Sequence, residues 1–338
     1  MKKTLTALLF AAVSLVAMDR INGAGASFPA PLYFDWAYDY QKETSTQINY
    51  QSIGSGGGIK QISNRIVDFG ASDKPLTPNE LNKKGLYQFP AVIGSILVCH
   101  NIPGIADGEL KLRNSVVADI FGGKITYWDD SKIRLDNREL KLPHEKITVV
   151  HRADGSGTTF NFTYFLDKVS KMWHEEFGVG KSIEWAAGVG GKGNEGVSSL
   201  IKQTPYSVGY VEYAYKTKNK FSAAQVQSAE GYWVEGTEEN SKAAAKYAEW
   251  NARDNFYQIL ALKPGKNSYP LVAATFIMMP RERIKSNREA TAFFDWAFEY
   301  GDEQARKLGY IPLPLGTKQT IRDYWKKMEL MKLTGEFK

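Results

Sequence analysis

The sequence predicts an α/β fold whose ligand site lies at the carboxyl ends of its strands, and three observations lead there. Short apolar runs of β type alternate with amphipathic helical stretches. Three Gly/Ser-rich loops each lead straight into one of those helices: Gly23-Ala24-Gly25-Ala26-Ser27-Phe28, Gly54-Ser55-Gly56-Gly57-Gly58 and Arg152-Ala153-Asp154-Gly155-Ser156-Gly157-Thr158-Thr159. Two strongly apolar strand candidates, residues 89–99 and 271–279, bracket the middle of the chain.

Each element follows from its apolar spacing. After the first loop, Tyr33, Trp36, Ala37 and Tyr40 fall at i, i+3, i+4 and i+7, one face of a helix. Ile59, Ile62 and Ile66 follow the second loop, and Phe162, Phe165, Leu166 and Val169 the third. Strand runs are read at residues 48–53, 66–71, 93–99, 147–151, 206–211 and 272–278. The two bracketing strands are either crossings between an outer lobe and an inserted one or two core strands of one large sheet; periodicity alone does not separate these. Residues 33–40 echo residues 293–300, which predicts two aromatic-faced helices lining core, with Gly301 as the C′ stop of the second. Residues 216–239 are polar and poorly periodic and read as variable surface.

The chain has 338 residues, 43% apolar and 13% aromatic, enough for one large core or two ordinary ones. Met1-Lys2-Lys3 followed by an apolar run to Ala17 has the form of a secretory signal, with cleavage expected between positions 14 and 21. No later run is long enough to span a bilayer. The net charge of +6 falls to +4 without Lys2 and Lys3, and no Lys/Arg stripe accompanies it, which excludes a nucleic-acid binder and favours a small anionic ligand. Cys99 is the only cysteine, so no intrachain disulfide forms and no lipid anchor follows the leader. An exported protein of a Gram-negative periplasm is expected.

A helix start carries unpaired N–H groups and the positive end of a dipole, so each loop is half of an anion site. Arg152 beside the third loop adds a guanidinium able to grip an oxyanion bidentately, and Asp154 is read as orienting Arg152 and capping the helix. The segment Val67-Asp68-Phe69-Gly70-Ala71-Ser72-Asp73 ends a strand in a carboxylate. An acceptor beside an anion helps only a ligand that brings a proton, as phosphate does near neutral pH and sulfate does not. Gly188-Val189-Gly190-Gly191-Lys192-Gly193 satisfies G-x-G-x-x-G, with Glu212 downstream. Its context fails the dinucleotide reading, because no clean buried strand precedes it and Asn194-Glu195-Gly196 interrupts the helix start. There is no P-loop, no G-x-S-x-G elbow and no H-E-x-x-H motif, and His100, His144, His151 and His174 are dispersed, so neither a metal nor a cofactor is expected.

Together the segments Asn22-Gly23-Ala24-Gly25-Ala26-Ser27-Phe28-Pro29-Ala30-Pro31, Ile53-Gly54-Ser55-Gly56-Gly57-Gly58, residues 67–73, residues 152–158 and Gly190-Gly191-Lys192-Gly193-Asn194 make the chain similar to the periplasmic phosphate-binding proteins of ABC-type phosphate uptake systems. The resemblance implies a two-lobed periplasmic-binding-protein fold of type II with a two-strand hinge. Residues 18–93 and 272–338 would form one lobe, residues 94–271 the inserted lobe, and the cleft between them would hold phosphate. It implies phosphate contacts from Ser27, the Phe28 backbone N–H, Ser55, Asp73, Arg152, Ser156, Gly157 and Thr158, with Asp154 holding Arg152. It also makes the glycine-rich segment structural, and it implies a monomer without catalysis that hands phosphate to the permease and ATPase subunits of an ABC importer. Ser27 stands where some relatives carry Thr, and His151 where some carry a second Arg. The alternatives are a receptor for sulfate, molybdate or tungstate, a secreted phosphatase, and a surface interaction protein with a vestigial site.

Overall fold

The computed structural model describes residues 20–331; the expected leader, residues 1–17, lies outside the described residues. Eleven strands are described: β1 Arg20–Gly25, β2 Gln47–Ser52, β3 Phe69–Ser72, β4 Leu86–His100, β5 Thr148–Arg152, β6 Val189–Gly191, β7 Ser207–Glu212, β8 Ser222–Ala223, β9 Val226–Gln227, β10 Trp233–Val234 and β11 Val272–Pro280. The helices that bear on the site and core are α1 Ala30–Thr44, α2 Gly54–Ser63, α3 Pro78–Lys84, α4 Asn114–Phe121, α5 Ser131–Asp136, α6 Gly157–Val169, α7 Lys171–Glu176, α8 Gly193–Gln203, α9 Tyr213–Asn219, α10 Glu238–Ala245 and α11 Ile284–Tyr300.

One sheet runs in the order β2-β1-β3-β11-β4-β7-β5-β6, with β8 also on β4. β1 pairs in parallel with β2 and β3, and β5 in parallel with β6 and β7. Two parallel triplets therefore flank the antiparallel pair β11 and β4. Such triplets arise where each strand returns through a helix, as apolar runs separated by amphipathic stretches require. β4 spans both halves of the sheet: its residues 86–95 pair with β11, and residues 96–100 with β7. The bracketing strands of the sequence are thus neighbours in the middle of one sheet, and β4 alone continues past the point where β11 ends.

The two aromatic-faced helices pack on one another. Tyr33 meets Phe294 and Tyr40 meets Phe293 edge to face, with centroids 5.8 and 5.3 Å apart. The Trp36 indole N–H donates to the Gly301 carbonyl at 3.1 Å. Gly301 is not a left-handed stop, since its φ is −86°. A Cβ there would overlap the Trp36 indole, and close approach is what demands glycine.

Three other expectations are corrected. Ile66 belongs to neither helix nor strand and is 65% exposed, because α2 ends at Ser63 and β3 begins at Phe69. Gly54 to Gly58 are not a loop but the first turns of α2. α2 lies so close to the sheet that a Cβ on Gly58 would overlap Gly25 and the Ala71 carbonyl, so glycine is required where helix propensity disfavours it. Residues 216–239 are not merely surface: β8, β9 and β10 bury Ala223, Val226 and Val234 through pairings too short for periodicity to register.

Among the described residues, no helix is long and apolar enough to cross a membrane, and no three His, Cys, Asp or Glu side chains gather as metal ligands.

Candidate functional site

The carboxyl ends of both parallel triplets face one place. β1 leads through Ser27 into α1, β2 through Ile53 into α2, and β3 ends beside Asp73; from the other half come β5 into α6 and β6 into α8. Ser27, Phe28, Ser55, Asp73, Arg152, Ser156 and Thr158 are each at most 4% exposed, and Gly157 is buried with them. The second and third loops touch, the Gly56 N–H donating to the Gly155 carbonyl at 2.6 Å. Gly157 sits so tightly against Ser55 and Asp73 that a Cβ would overlap both.

Ser156 is the N-cap of α6, its hydroxyl accepting from the Thr159 N–H at 2.9 Å. Asp154, expected as a cap, is not one. Its carboxylate is committed to Arg152, from Nε at 2.7 Å and Nη2 at 2.6 Å, and accepts the Gly193 N–H at 3.0 Å. Burial alone would raise the Asp154 pKa, but the Arg152 guanidinium and the Gly193 amide outweigh it and hold the carboxyl below its ordinary range. Arg152 Nη1 also donates to Thr158 Oγ1 at 3.3 Å. A guanidinium has five N–H donors, so two remain for a ligand edge. With the Thr159 amide taken by the cap, the Gly157 and Thr158 amides at the start of α6 are the orphan donors of that turn.

Asp73 is held differently. Its Oδ1 accepts the Thr275 hydroxyl at 2.7 Å and its Oδ2 lies 3.4 Å from the Ser55 hydroxyl, whose oxygen accepts the Asp73 N–H at 3.1 Å. Asn161 Nδ2 bridges the Asp73 and Gly157 carbonyls at 2.8 and 2.9 Å, tying the two halves together. Burial pushes the Asp73 carboxyl up to about 7, against the opposing pull of Thr275, Arg152 and Ser55. Phe28 is fully buried: its ring packs edge-on to Tyr310 at 6.4 Å, and its carbonyl accepts the Tyr310 hydroxyl at 2.6 Å.

These bonds and close approaches connect the stretches that carry all nine residues singled out from the sequence. Sequence reasoning missed Asn194, Thr275 and Asn161. Residues 189–191 do form a strand and Asn194-Glu195-Gly196 lies inside α8, so the glycine-rich segment is a fourth strand-to-helix start aimed at the site. The available signal was an Asn in the first turn of a helix start, although it does not cap α8, whose N-cap position is Lys192. For Thr275 it was a lone hydroxyl within an otherwise apolar strand. Glu212, downstream of the G-x-G-x-x-G segment, caps α9 by accepting the Ala214 N–H at 2.8 Å. His151 stacks on Trp185 at 4.8 Å, and burial lowers its pKa.

Two parallel triplets on a shared central strand, with helix starts converging between them, define a two-lobed binding protein of type II, and the PBP superfamily domain matches residues 12–299. A phosphate-binding protein PstS of Haemophilus influenzae is 45% identical over 327 residues, 96% of this chain and 98% of its own. Another, from Xylella fastidiosa, is 48% identical over 308 residues, 90% of this chain and 85% of its own. The solved phosphate-binding protein of Stenotrophomonas maltophilia shares the fold, with a TM-score of 0.66 at 20% identity over 90% of this chain and 93% of that one. The chain belongs to the PstS family of phosphate-binding proteins.

Proposed function

We propose that this chain binds inorganic phosphate in the periplasm and delivers it to the permease and ATPase subunits of an ABC importer, acting as a monomer without catalysis. The single observation that carries this reading is one acceptor, Asp73, set within a ring of donors. Two free guanidinium N–H groups of Arg152, the amides of Phe28, Gly157 and Thr158, and the hydroxyls of Ser27, Ser55, Ser156 and Thr158 face the oxyanion, while Asp73 receives the P–OH proton. Stripping water from a phosphate dianion is very costly, and only many charge-assisted bonds, each about 1.5–3 kcal/mol, offset it together.

Residues 18–93 with 272–338 supply Ser27, Ser55 and Asp73, and residues 94–271 supply Arg152 and the α6 start. Binding then closes one lobe on the other, because the full donor set exists only when both meet. Sulfate, molybdate and tungstate lack the proton Asp73 needs, and a desolvated carboxylate facing them costs several kcal/mol. A phosphatase would need an activated nucleophile. Among the described residues no histidine hydrogen-bonds to Ser27, Ser55 or Ser156. Calorimetric titration of ligand-stripped protein with phosphate and with sulfate tests the proposal: tight phosphate binding with sulfate rejected is expected, and equal affinity for both overturns it. Turnover of a chromogenic phosphate monoester would restore the enzyme reading.

A further inference from the structure

We propose that Asn194 is a positioning residue that fixes the Ser27 and Thr158 hydroxyls as donors, so that neither can accept a proton from the anion; the inference rests on the phosphate reading above. Asn194 is fully buried at the start of α8. Its Oδ1 accepts the Glu212 backbone N–H at 3.0 Å. A backbone N–H can only donate, so this bond identifies the carbonyl end of the side chain and turns the NH2 end toward the pocket.

That NH2 lies 2.9 Å from Ser27 Oγ, and the Asn194 backbone N–H lies 3.0 Å from the same oxygen. A serine hydroxyl has two lone pairs and one proton. Both lone pairs are taken by donors of Asn194, so the proton has no acceptor there and is delivered toward the pocket. Thr158 Oγ1 is treated alike, with Arg152 Nη1 at 3.3 Å and Asn194 Nδ2 at 3.4 Å. These longer bonds weigh less, but their sense is the same.

Two consequences follow. With Ser27 and Thr158 held as donors, two of the four hydroxyls at the site are withdrawn as acceptors, which concentrates that role on Asp73 and favours an anion carrying a proton. Ser27 stands between β1 and α1, whereas Asn194 opens α8, so the hydroxyl is polarised only where the two halves of the sheet come together.

The test is the affinity for inorganic phosphate, by calorimetry, of ligand-stripped full-length chain as wild type, Ser27→Ala, Asn194→Asp and the double variant. Asn194→Asp keeps an acceptor for the Glu212 N–H but presents a second oxygen to Ser27, which captures the hydroxyl proton. Ser27→Ala is expected to weaken binding about tenfold in the wild type, as loss of one charge-assisted donor does, and less than twofold in the Asn194→Asp background. A cost equal in both backgrounds overturns the inference, as does no cost in the wild type. Absence of phosphate binding by the wild type instead overturns the functional reading beneath it. If Asn194→Asp does not fold, Asn194→Ala replaces it. There Ser27 Oγ regains a lone pair and the cost of Ser27→Ala falls to threefold or less, while an unchanged tenfold cost overturns the inference.

Discussion

On one side of the site, Arg152 meets Asp154 through two bonds of 2.7 and 2.6 Å, and the pair is further tied to the start of α8. On the other side, Asp73 is held by hydroxyls, Thr275 at 2.7 Å and Ser55 at 3.4 Å, and among the described residues no cation is bonded to it. The first arrangement compensates its charge and keeps it: the Asp154 carboxyl stays below its ordinary range against its own burial. The second leaves its carboxyl at about 7, where the proton comes and goes. On the proposed function, one half of the site would grip an oxyanion of any protonation, and the other would inspect whether that oxyanion carries a hydrogen.

The contrast breaks most sharply at Arg152. Arg152→Ala is expected to weaken phosphate and any competing oxyanion alike by at least about a hundredfold, since two charge-assisted bonds go and Asp154 is left unpaired. Calorimetry checks the affinity and thermal melting checks that the chain stays folded; a loss confined to phosphate would deny Arg152 its general role. Asp73→Asn is expected to act on preference instead, lowering the phosphate-to-sulfate ratio by roughly thirtyfold or more, while phosphate itself weakens much less. An unchanged ratio would remove Asp73 from selection.

The acidity of Asp73 sharpens the comparison. Its folded-state pKa lies above the unfolded one, so its contribution to stability is full below about 3.9 and is lost as pH rises through about 7. Ligand-free wild type should therefore lose melting temperature between pH 6 and pH 8 relative to Asp73→Asn, and parallel curves would refute the burial argument. Over the same window, protonation turns the acceptor into a donor. Sulfate binding should improve roughly tenfold from pH 8 to pH 6 in the wild type and stay flat in Asp73→Asn. The smallest expected effect is that of Thr275→Val, which removes a bond worth about 1 kcal/mol to the carboxylate. It should move the sulfate profile upward by under one pH unit, and a downward move would mean the hydroxyl does not favour the ionised form.

Much of this site was legible because short polar residues and glycines punctuate the ends of strands, and Ser27, Ser55 and Ser156 each stand where a strand gives way to a helix. What stayed hidden depends on contacts between distant segments. The glycines of α2 read as a loop because propensity is local, whereas the space they leave is filled by Gly25 and Ala71. Asn194 was discounted because the G-x-G-x-x-G pattern was weighed only as a nucleotide motif, although the same strand-to-helix turn serves any anion. Ile66 was given to both a helix and a strand, and it lies on the surface between them. Thr275 becomes meaningful only when β11 pairs with β3 and sets its hydroxyl against Asp73.

Cys99 sits in the second half of β4, completely buried, its thiol pushed well above the usual range by that burial. Since the thiolate is the reactive form, the sole sulfhydryl of the chain stays inert while β4 keeps its neighbours. The rate at which a thiol reagent labels the unmodified protein is then a clock for how often that strand is laid bare, and any ligand that slows it has announced itself without a dye.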